Sequence, residues 1–350
     1  MTVITIKEIA KLADVSTATV SYVINNSKNV LPEKRKRVLE VIAKSGYQPN
    51  QVAKSLRMKK TNNIGVLVED IMGFPTPSII NGISECVEQS GYHILLNDLR
   101  MLDSLFNRYD QIMQQKDKVN KAMSLLVFGA KVDAVIYVGM FDRDISGIIN
   151  DIGKPLIIAY STSDDTYTCS VTYENEDISK QAVRYLIDSG HRRIAVITGV
   201  AHTSPARMRM RGIHKAFKEA GFILDNALVK NGDWEYVSGY SCMVELLQQE
   251  REALPTALFA MNDLMAVGAM DAIRDAGLCV PDDISVIGFD NREISSLVRP
   301  KLTTAEIDLK GIGFAAAQMA MHKLCGGEYV QERSIIIPSR LILRNTVAKI

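Results

Sequence analysis

The sequence predicts an N-terminal all-α helix-turn-helix head followed by an α/β body of two doubly wound parallel-sheet lobes. Three observations carry this. Apolar residues recur at helical spacing, with capping signals, over the first 48 residues; buried-strand runs alternate with amphipathic helices from residue 64 onward; and charge is unevenly spread along the chain. The expected divisions are residues 1–48 for the head, 49–62 for a hinge helix and linker, and 63–345 for the body. Within the body, one lobe is expected over about 63–160 plus 292–322, the other over about 161–291 plus 323–345.

Composition narrows the class before any motif is considered. Among 350 residues, 47% are hydrophobic and 23% charged, which excludes disordered, collagen-like and disulfide-scaffold chains. The five cysteines are scattered and never form a C-x-x-C pair, so neither a zinc site nor a disulfide framework is expected, and a reducing cytosol fits. The start lacks the pattern of a secretory signal, and no apolar run is long enough to span a bilayer. A cytoplasmic protein that engages no membrane is expected.

The net charge of +1 argues at first against a nucleic-acid partner. Resolved by segment, it does the reverse. Residues 1–60 hold 12 Lys and Arg against four acids, a net +8, which leaves −7 on the remaining 290. A basic head on an acidic body points to an anionic surface, nucleic acid or membrane; a solvated helical face with a lysine-rich linker is the bland alternative.

In the head, Ile6, Ile9, Ala10 and Ala13 mark a first helix, with Thr5 as N-cap and Glu8 closing a capping box. Asp14-Val15 breaks it. Ser16 then caps a second helix whose inner face is Val20, Val23 and Ile24, ending at Asn25-Asn26. A third helix begins at Pro32, turns Val38, Leu39, Val41 and Ile42 inward, and stops at Gly46. In such a unit the second helix enters the major groove, so its exposed early residues are the readers. Thr17 and Ala18 can touch thymine methyls and Tyr22 a base edge, while Ser16, Ser21 and the basic Lys34–Arg37 and Lys54–Lys60 clusters hold phosphates. Beyond Pro49, the stretch Gln51–Arg57 is a marginal helix in a basic linker.

The body's strand runs are Ile64–Val68, His93–Leu96, Ala134–Val138, Leu156–Ala159, Ile194–Thr198, Ala257–Ala260 and Ile284–Gly288. Helices between them end at Gly91, Gly190, Gly221 and Gly277, and the polar segment Met101–Leu126 reads as helix. Two such lobes enclose a cleft near the carboxyl ends of their strands, suited to a small polar ligand. Four places belong there. Asn262 and Asp290 sit at strand ends and can fork onto hydroxyls, Arg209 lies in a cationic cluster opening a helix, and Trp234, the single tryptophan, follows a strand.

The run from Ile6 to Arg57 resembles the DNA-binding head of the LacI/GalR family of bacterial regulators. The residues that carry it are Ile9-Ala10, Ala13, Val15-Ser16, Thr19-Val20-Ser21, Val23, Asn25, Val38, Gly46-Tyr47, Pro49-Asn50, Ala53 and Leu56. The resemblance continues to about Arg344 and implies a periplasmic-binding-protein-like body. It implies Thr17, Ala18 and Tyr22 as specificity positions and Asn50–Arg57 as a hinge helix. That helix would pair with its partner in the minor groove, with Leu56 as the wedge and Ala53 leaving room on the same face. The expected DNA-contacting set is Thr5, Ser16, Thr17, Ala18, Ser21, Tyr22, Asn25, Asn50, Ala53 and Leu56. The expected effector set is Arg209, Trp234, Asn262 and Asp290, with Tyr160 standing where sugar-binding members often carry an acid. The segment Asp70–Pro75 is less polar, and Met101–Leu126 longer, than the family pattern. No leucine heptad tail follows Arg344, so a homodimer is implied.

The function expected is a repressor of carbohydrate-related genes. It binds a palindromic double-stranded operator as a dimer and answers to a sugar or related polar metabolite in the cleft. A catabolite-type regulator using a phosphoprotein co-repressor, and a sugar-binding transport protein, are the alternatives. An enzyme is not expected and no cofactor is implied: Gly311-Ile312-Gly313 lies too near the end for a dinucleotide fingerprint, and no phosphate-loop, zincin or nucleophile-elbow motif occurs. Two outcomes follow. The isolated head should lose DNA affinity steeply with salt, the log–log slope falling by about 0.9 per phosphate contact, as titration at several salt concentrations will show. Leu56→Ala should lower operator affinity and reduce DNA bending in a gel-based bending assay.

Overall fold

Thr5 caps the first helix, α1 (Ile6–Leu12), through a complete capping box: its hydroxyl accepts from the Glu8 N–H while the Glu8 carboxylate accepts from the Thr5 N–H at 2.6 Å. The computed structural model describes residues 4–24, 30–47, 60–102, 111–326 and 333–350. Asn25, Asn50, Ala53 and Leu56, with the rest of the proposed hinge up to residue 59, lie outside the described residues. Asp14 turns the chain in the left-handed region at φ 51°. Ser16 then opens α2 (Thr17–Ile24), its hydroxyl accepting from the Thr19 N–H at 3.1 Å. Proline starts α3 (Pro32–Ser45), and Gly46 ends it at φ 62°. The head's core is Ile9, Ala10, Ala13, Val20, Val23 and Val38. Leu39 is a correction: it is 49% exposed, because one residue past Val38 is a 100° turn away from the core-facing line.

The chain divides into Met1–Asn62 and Asn63–Ile350. The second unit holds two six-stranded sheets. The first contains β1 (Asn63–Val68), β2 (His93–Asp98), β3 (Ala134–Val138), β4 (Leu156–Ala159), β5 (Thr168–Tyr173) and β11 (Ser334–Ile337), in the order β11-β5-β4-β3-β1-β2. The second contains β6 (Ile194–Thr198), β7 (Val229–Asn231), β8 (Ala257–Ala260), β9 (Ser285–Asp290), β10 (Thr303–Glu306) and β12 (Arg340–Ile342), in the order β12-β10-β9-β8-β6-β7. Among the described residues, all strand pairings are parallel except β10 with β12. Each sheet therefore reverses winding direction once, beside β1 and β3 in the first and beside β6 and β8 in the second, which is where a doubly wound sheet opens a crevice.

Strand pairing moves the expected lobe bounds. β5 joins the first sheet, so the first crossover follows Tyr173 rather than residue 160; β10 lies in the second sheet and β11 in the first. The cause is chemical. β5 alternates Thr168, Ser170 and Thr172 with apolar residues, a pattern of a half-exposed strand, yet all six positions are buried. A strand of this composition is hidden on both faces only because helices cover the sheet.

The helices are α4 (Thr76–Gln89), α5 (Lys116–Ser124), α6 (Glu176–Asp188), α7 (Ser204–Glu219), α8 (Tyr236–Leu246), α9 (Asp263–Asp275), the short α10 (Ile294–Leu297) and α11 (Leu309–Leu324). Of the segment expected to be one helix over Met101–Leu126, residues 103–110 lie outside the described residues. The remainder is a 3-10 turn, α5, and a π-helical turn at Leu125–Gly129. Two helix pairs meet backbone to backbone through reciprocal glycines. On α4 and α11, a Cβ at Gly82 would stand 2.0 Å from the Lys310 carbonyl, and one at Gly313 would stand 2.0 Å from that of Ile79. Gly239 and Gly268 do the same for α8 and α9. The glycines near the C-terminus thus serve close packing. Gly313→Ala should cost about 1–3 kcal/mol through overpacking, against a helix-propensity gain of about 1 kcal/mol, whereas Gly129→Ala, with open space around it, should not destabilise. Urea denaturation of the two variants tests the difference.

Candidate functional site

The cleft between the lobes measures about 660 Å³, and Tyr160, Arg209, Trp234, Asn262 and Asp290 all line it. They come from separate elements. Tyr160 follows β4, Arg209 sits in α7, Trp234 follows β7, Asn262 follows β8 and Asp290 ends β9. Three of them hold left-handed backbone despite carrying side chains: Tyr160 at φ 68°, Trp234 at φ 77° and Asp290 at φ 107°. Such conformations cost about 1–3 kcal/mol each and persist only where the surroundings over-determine them. Here they swing three strand-end side chains into one space.

Arg209 organises the floor. The helix α7 begins at Ser204, earlier than its periodicity suggests, so Arg207, Arg209 and Arg211 lie on a continuous helix at about 200° intervals, which puts Arg209 on the side opposite Arg207 and Arg211. Arg207 bonds the His202 carbonyl, Arg211 pairs with Glu176 at 2.8 Å on the outside, and only Arg209 is buried, 3% exposed. Its Nε donates to Asn175 Oδ1 at 2.9 Å, Nη1 to the Met261 carbonyl, and Nη2 to the Tyr173 hydroxyl at 3.2 Å. The guanidinium lies 3.5 Å from the Phe289 ring centroid and 5.5 Å from that of Trp234. Asn175 in turn donates to Asp142 at 2.8 Å, so one polar chain runs from the first lobe through the crossover to the second.

Asp290 differs from its neighbours. Its carboxylate stands 3.8 Å from Arg209 Nη2 and 3.9 Å from Arg292 Nε, ion-pair distances too long for hydrogen bonds. It accepts no hydrogen bond among the described residues, although its side chain is only 10% exposed. Burial pushes its carboxyl up to about 6, against the pull of Arg209 and Arg292. Burial likewise raises Asp142 to about 6, opposed by Arg209, Asn175 and Tyr173. Tyr160 stacks on Tyr173 with ring centroids 5.1 Å apart, and burial holds its phenol far above its usual range, so it stays neutral.

Asn262 combines two roles. It caps α9, accepting from the Met265 N–H at 2.9 Å, and its amide donates to the Trp234 carbonyl at 2.7 Å. One amide hydrogen and one lone pair remain for a ligand. Trp234 packs flat on Gly199, where a Cβ would fall 2.0 Å from the ring, so that glycine is what lets the plate lie down. Next to Asn262, buried Asp263 accepts from the Thr304 hydroxyl at 2.6 Å and from the Arg292 N–H at 2.7 Å, tying the α9 start to β10 and the loop after β9.

The sequence reading missed Asp142, Tyr173, Asn175 and Arg292 at this site. Asp142 had a usable signal: Gly139-Met140-Phe141-Asp142 after β3 parallels Gly288-Phe289-Asp290 at the end of β9. Tyr173 lay in the strand that polar alternation concealed.

In the head, Ser16 before α2 and Thr17, Ala18 and Tyr22 within it are exposed, and Ser21 is half-buried. Thr5 and Ser16 spend hydroxyl bonds on capping. Among the described residues, no group of three or more His, Cys, Asp or Glu could hold a metal ion, and no helix is long and apolar enough to cross a membrane.

Comparison with known proteins agrees with both halves of this geometry. Residues 5–50 match the bacterial regulatory proteins of the lacI family, and residues 183–347 match the periplasmic binding protein-like domain. The chain is 32% identical to catabolite control protein A of Priestia megaterium, covering 98% of this chain and 99% of that protein. It is 34% identical to the HTH-type transcriptional repressor PurR of Histophilus somni (strain 129Pt), covering 98% of each. The lac repressor dimer bound to operator and the anti-inducer ONPF superposes with a TM-score of 0.77 at 26% identity, covering 99% of this chain and 100% of that one. With a helix-turn-helix head, a two-lobed body and relatives matched from end to end, the chain belongs to the lacI family of bacterial regulatory proteins and is a DNA-binding transcriptional repressor under effector control.

Proposed function

We propose that the repressor acts in the cytoplasm as a homodimer on a palindromic operator, and that a sugar or related neutral polar metabolite in the inter-lobe cleft controls carbohydrate-related genes. Thr17, Ala18 and Tyr22 read base edges, with Ser16 and Ser21 on phosphates. Asn25 closes this set at the end of the reading helix, Thr5 anchors the first helix, and the hinge residues Asn50, Ala53 and Leu56 enter the minor groove. In the cleft, Asp290 accepts from a pair of ligand hydroxyls, Asn262 donates and accepts beside it, Trp234 and Tyr160 supply apolar faces, and Arg209 fixes the carboxylate. The observation that carries this reading is the buried Asp290 carboxylate, open to donors and flanked by two guanidiniums.

Control works by differential binding. A ligand shifts operator affinity only as far as it prefers one arrangement of the two lobes over another. Selecting binding sites from random DNA and locating the enriched palindrome in the genome identifies the regulon and hence candidate effectors. Operator affinity that stays constant at saturating effector would reject the coupling.

The pH response distinguishes Asp290 from a structural acid. Hydroxyl donors need the carboxylate, so effector affinity should fall as pH drops below about 6, where Asp290 takes up a proton. Folding runs the other way. A carboxyl raised from 3.8 to about 6 contributes its full stability below about pH 4 and loses it as pH rises through 6. Asp290→Asn should therefore weaken effector binding roughly 10- to 100-fold at pH 7.5, while flattening the decline in melting temperature between pH 4 and pH 7. Calorimetric titration and thermal melts across that range test both limbs.

A further inference from the structure

Two cavities meet at one pair of side chains. Beside the cleft lies a second cavity of about 500 Å³, and the residues that line both are Phe74, Asp290 and Arg292. Phe74 belongs to the first lobe, in the turn between β1 and α4; Arg292 belongs to the second, in the loop between β9 and α10. Neither lies on a segment that crosses from lobe to lobe, yet the Arg292 guanidinium carbon stands 4.0 Å from the Phe74 ring centroid. Both ends are mounted on well-tied backbone. In the Phe74 turn, the Gly73 N–H donates to the Asp70 carbonyl at 3.2 Å and the Thr76 N–H to the Gly73 carbonyl at 3.0 Å. The Arg292 N–H donates to buried Asp263 at 2.7 Å, and Asn291 before it donates to Glu306 at 2.9 Å and accepts from Arg344 at 2.7 Å. The Arg292 side chain is less well provided for. Its Nε is buried without a hydrogen-bond partner among the described residues, 3.9 Å from the Asp290 carboxylate. A guanidinium acts on a ring only within about 6 Å of the centroid, so a lobe displacement of roughly 2 Å ends the contact.

We propose that Arg292 and Phe74 form a latch between the lobes, and that Asp290 competes with Phe74 for the Arg292 guanidinium. A shift of about 1 Å brings Nε within hydrogen-bond reach of Asp290, where a charge-assisted bond satisfies both groups. That shift draws the guanidinium off the ring. Ligand hydroxyls that donate to Asp290 take up the oxygens Arg292 would otherwise bond, and the guanidinium then stays on Phe74. Occupancy of the cleft is thereby converted into a contact across it, favouring the lobe arrangement that keeps the latch. The role of the ligand rests on the cleft reading above; the latch itself needs no effector. A contact of this kind is worth roughly two- to thirtyfold in the equilibrium between lobe arrangements.

Trp234, the single tryptophan, lines the cleft and reports its opening. Acrylamide quenching of its fluorescence, measured on the full-length protein without effector, should rise about twofold in Phe74→Leu and in Arg292→Gln, and no further in the double variant. Phe74→Tyr, which keeps a ring face, should match the unsubstituted protein. Asp290→Asn, which removes the competing charge, should lower the quenching. Operator affinity, read on the palindrome selected from random DNA, should move in one direction by about threefold or more in both single variants, and by no more in the double. Effects that add in the double variant mean that the two side chains pack independently, and they overturn the latch. Unchanged quenching or unchanged operator affinity in either single variant overturns it too. Quenching that is unchanged or raised in Asp290→Asn overturns the competition. If the latch variants behave as expected while ligand binding ignores Asp290→Asn, the contact stands and the cleft reading falls. If they do not, while ligand binding depends on Asp290, the cleft reading stands and the latch falls.

Discussion

The cleft floor depends on the buried cation of Arg209. Arg209 brings a permanent positive charge to a place 3% exposed to water, where an unpaired guanidinium would be prohibitively costly. Its compensation comes from everywhere at once: Asn175 from the crossover, Met261 from the end of β8, Tyr173 from the first sheet, Phe289 beneath its plane and Asp290 across the cleft floor. The strand ends of both lobes are therefore held in register with one side chain. Because Asp142 joins through Asn175, the hydrogen-bonded chain at the cation includes residues of both lobes.

Around this cation the fold stores strain. Tyr160, Trp234 and Asp290 each occupy backbone conformations that side chains ordinarily avoid. The rigid surroundings that hold them come partly from glycine-mediated helix contacts, where α4 meets α11 and α8 meets α9 with backbones touching. Close-packed helix pairs fix the sheets, the sheets fix the strand ends, and the strand ends then hold side chains at angles no isolated turn would keep. The cleft is pre-organised at the expense of intrinsic backbone preference.

The division of charge gives the two units opposite relations to DNA. The basic first 60 residues attract phosphates, and the acidic remainder repels them. In the head, α2 leaves Thr17, Ala18 and Tyr22 exposed and commits the apolar residues Val20 and Val23 to the core.

Local signals alone determined a good deal. The capping box at Thr5 and Glu8, the stops at Gly46, Gly91, Gly190, Gly221 and Gly277, and the runs Ala134–Val138 and Ile194–Thr198 are all written in neighbouring residues, because capping, left-handed glycine and uninterrupted burial act over a few positions. Trp234, Asn262 and Asp290 could be named because strand ends in such folds face the crevice, whereas Arg209, on a helix, and Tyr160 were named through the family resemblance. The tertiary structure decided the rest. Polar Thr168–Tyr173 is a central strand only because helices cover it, Leu39 points outward only because Val38 takes the core, and Arg207 and Arg211 are surface residues only because α7 starts at Ser204. Asp142 and Asn175 enter the site through partners 33 to 34 residues away in sequence, as the Asn175–Asp142 and Arg209–Asn175 bonds show. Sequence specifies what each segment prefers by itself; burial, which makes a buried charge seek distant partners, belongs to the whole.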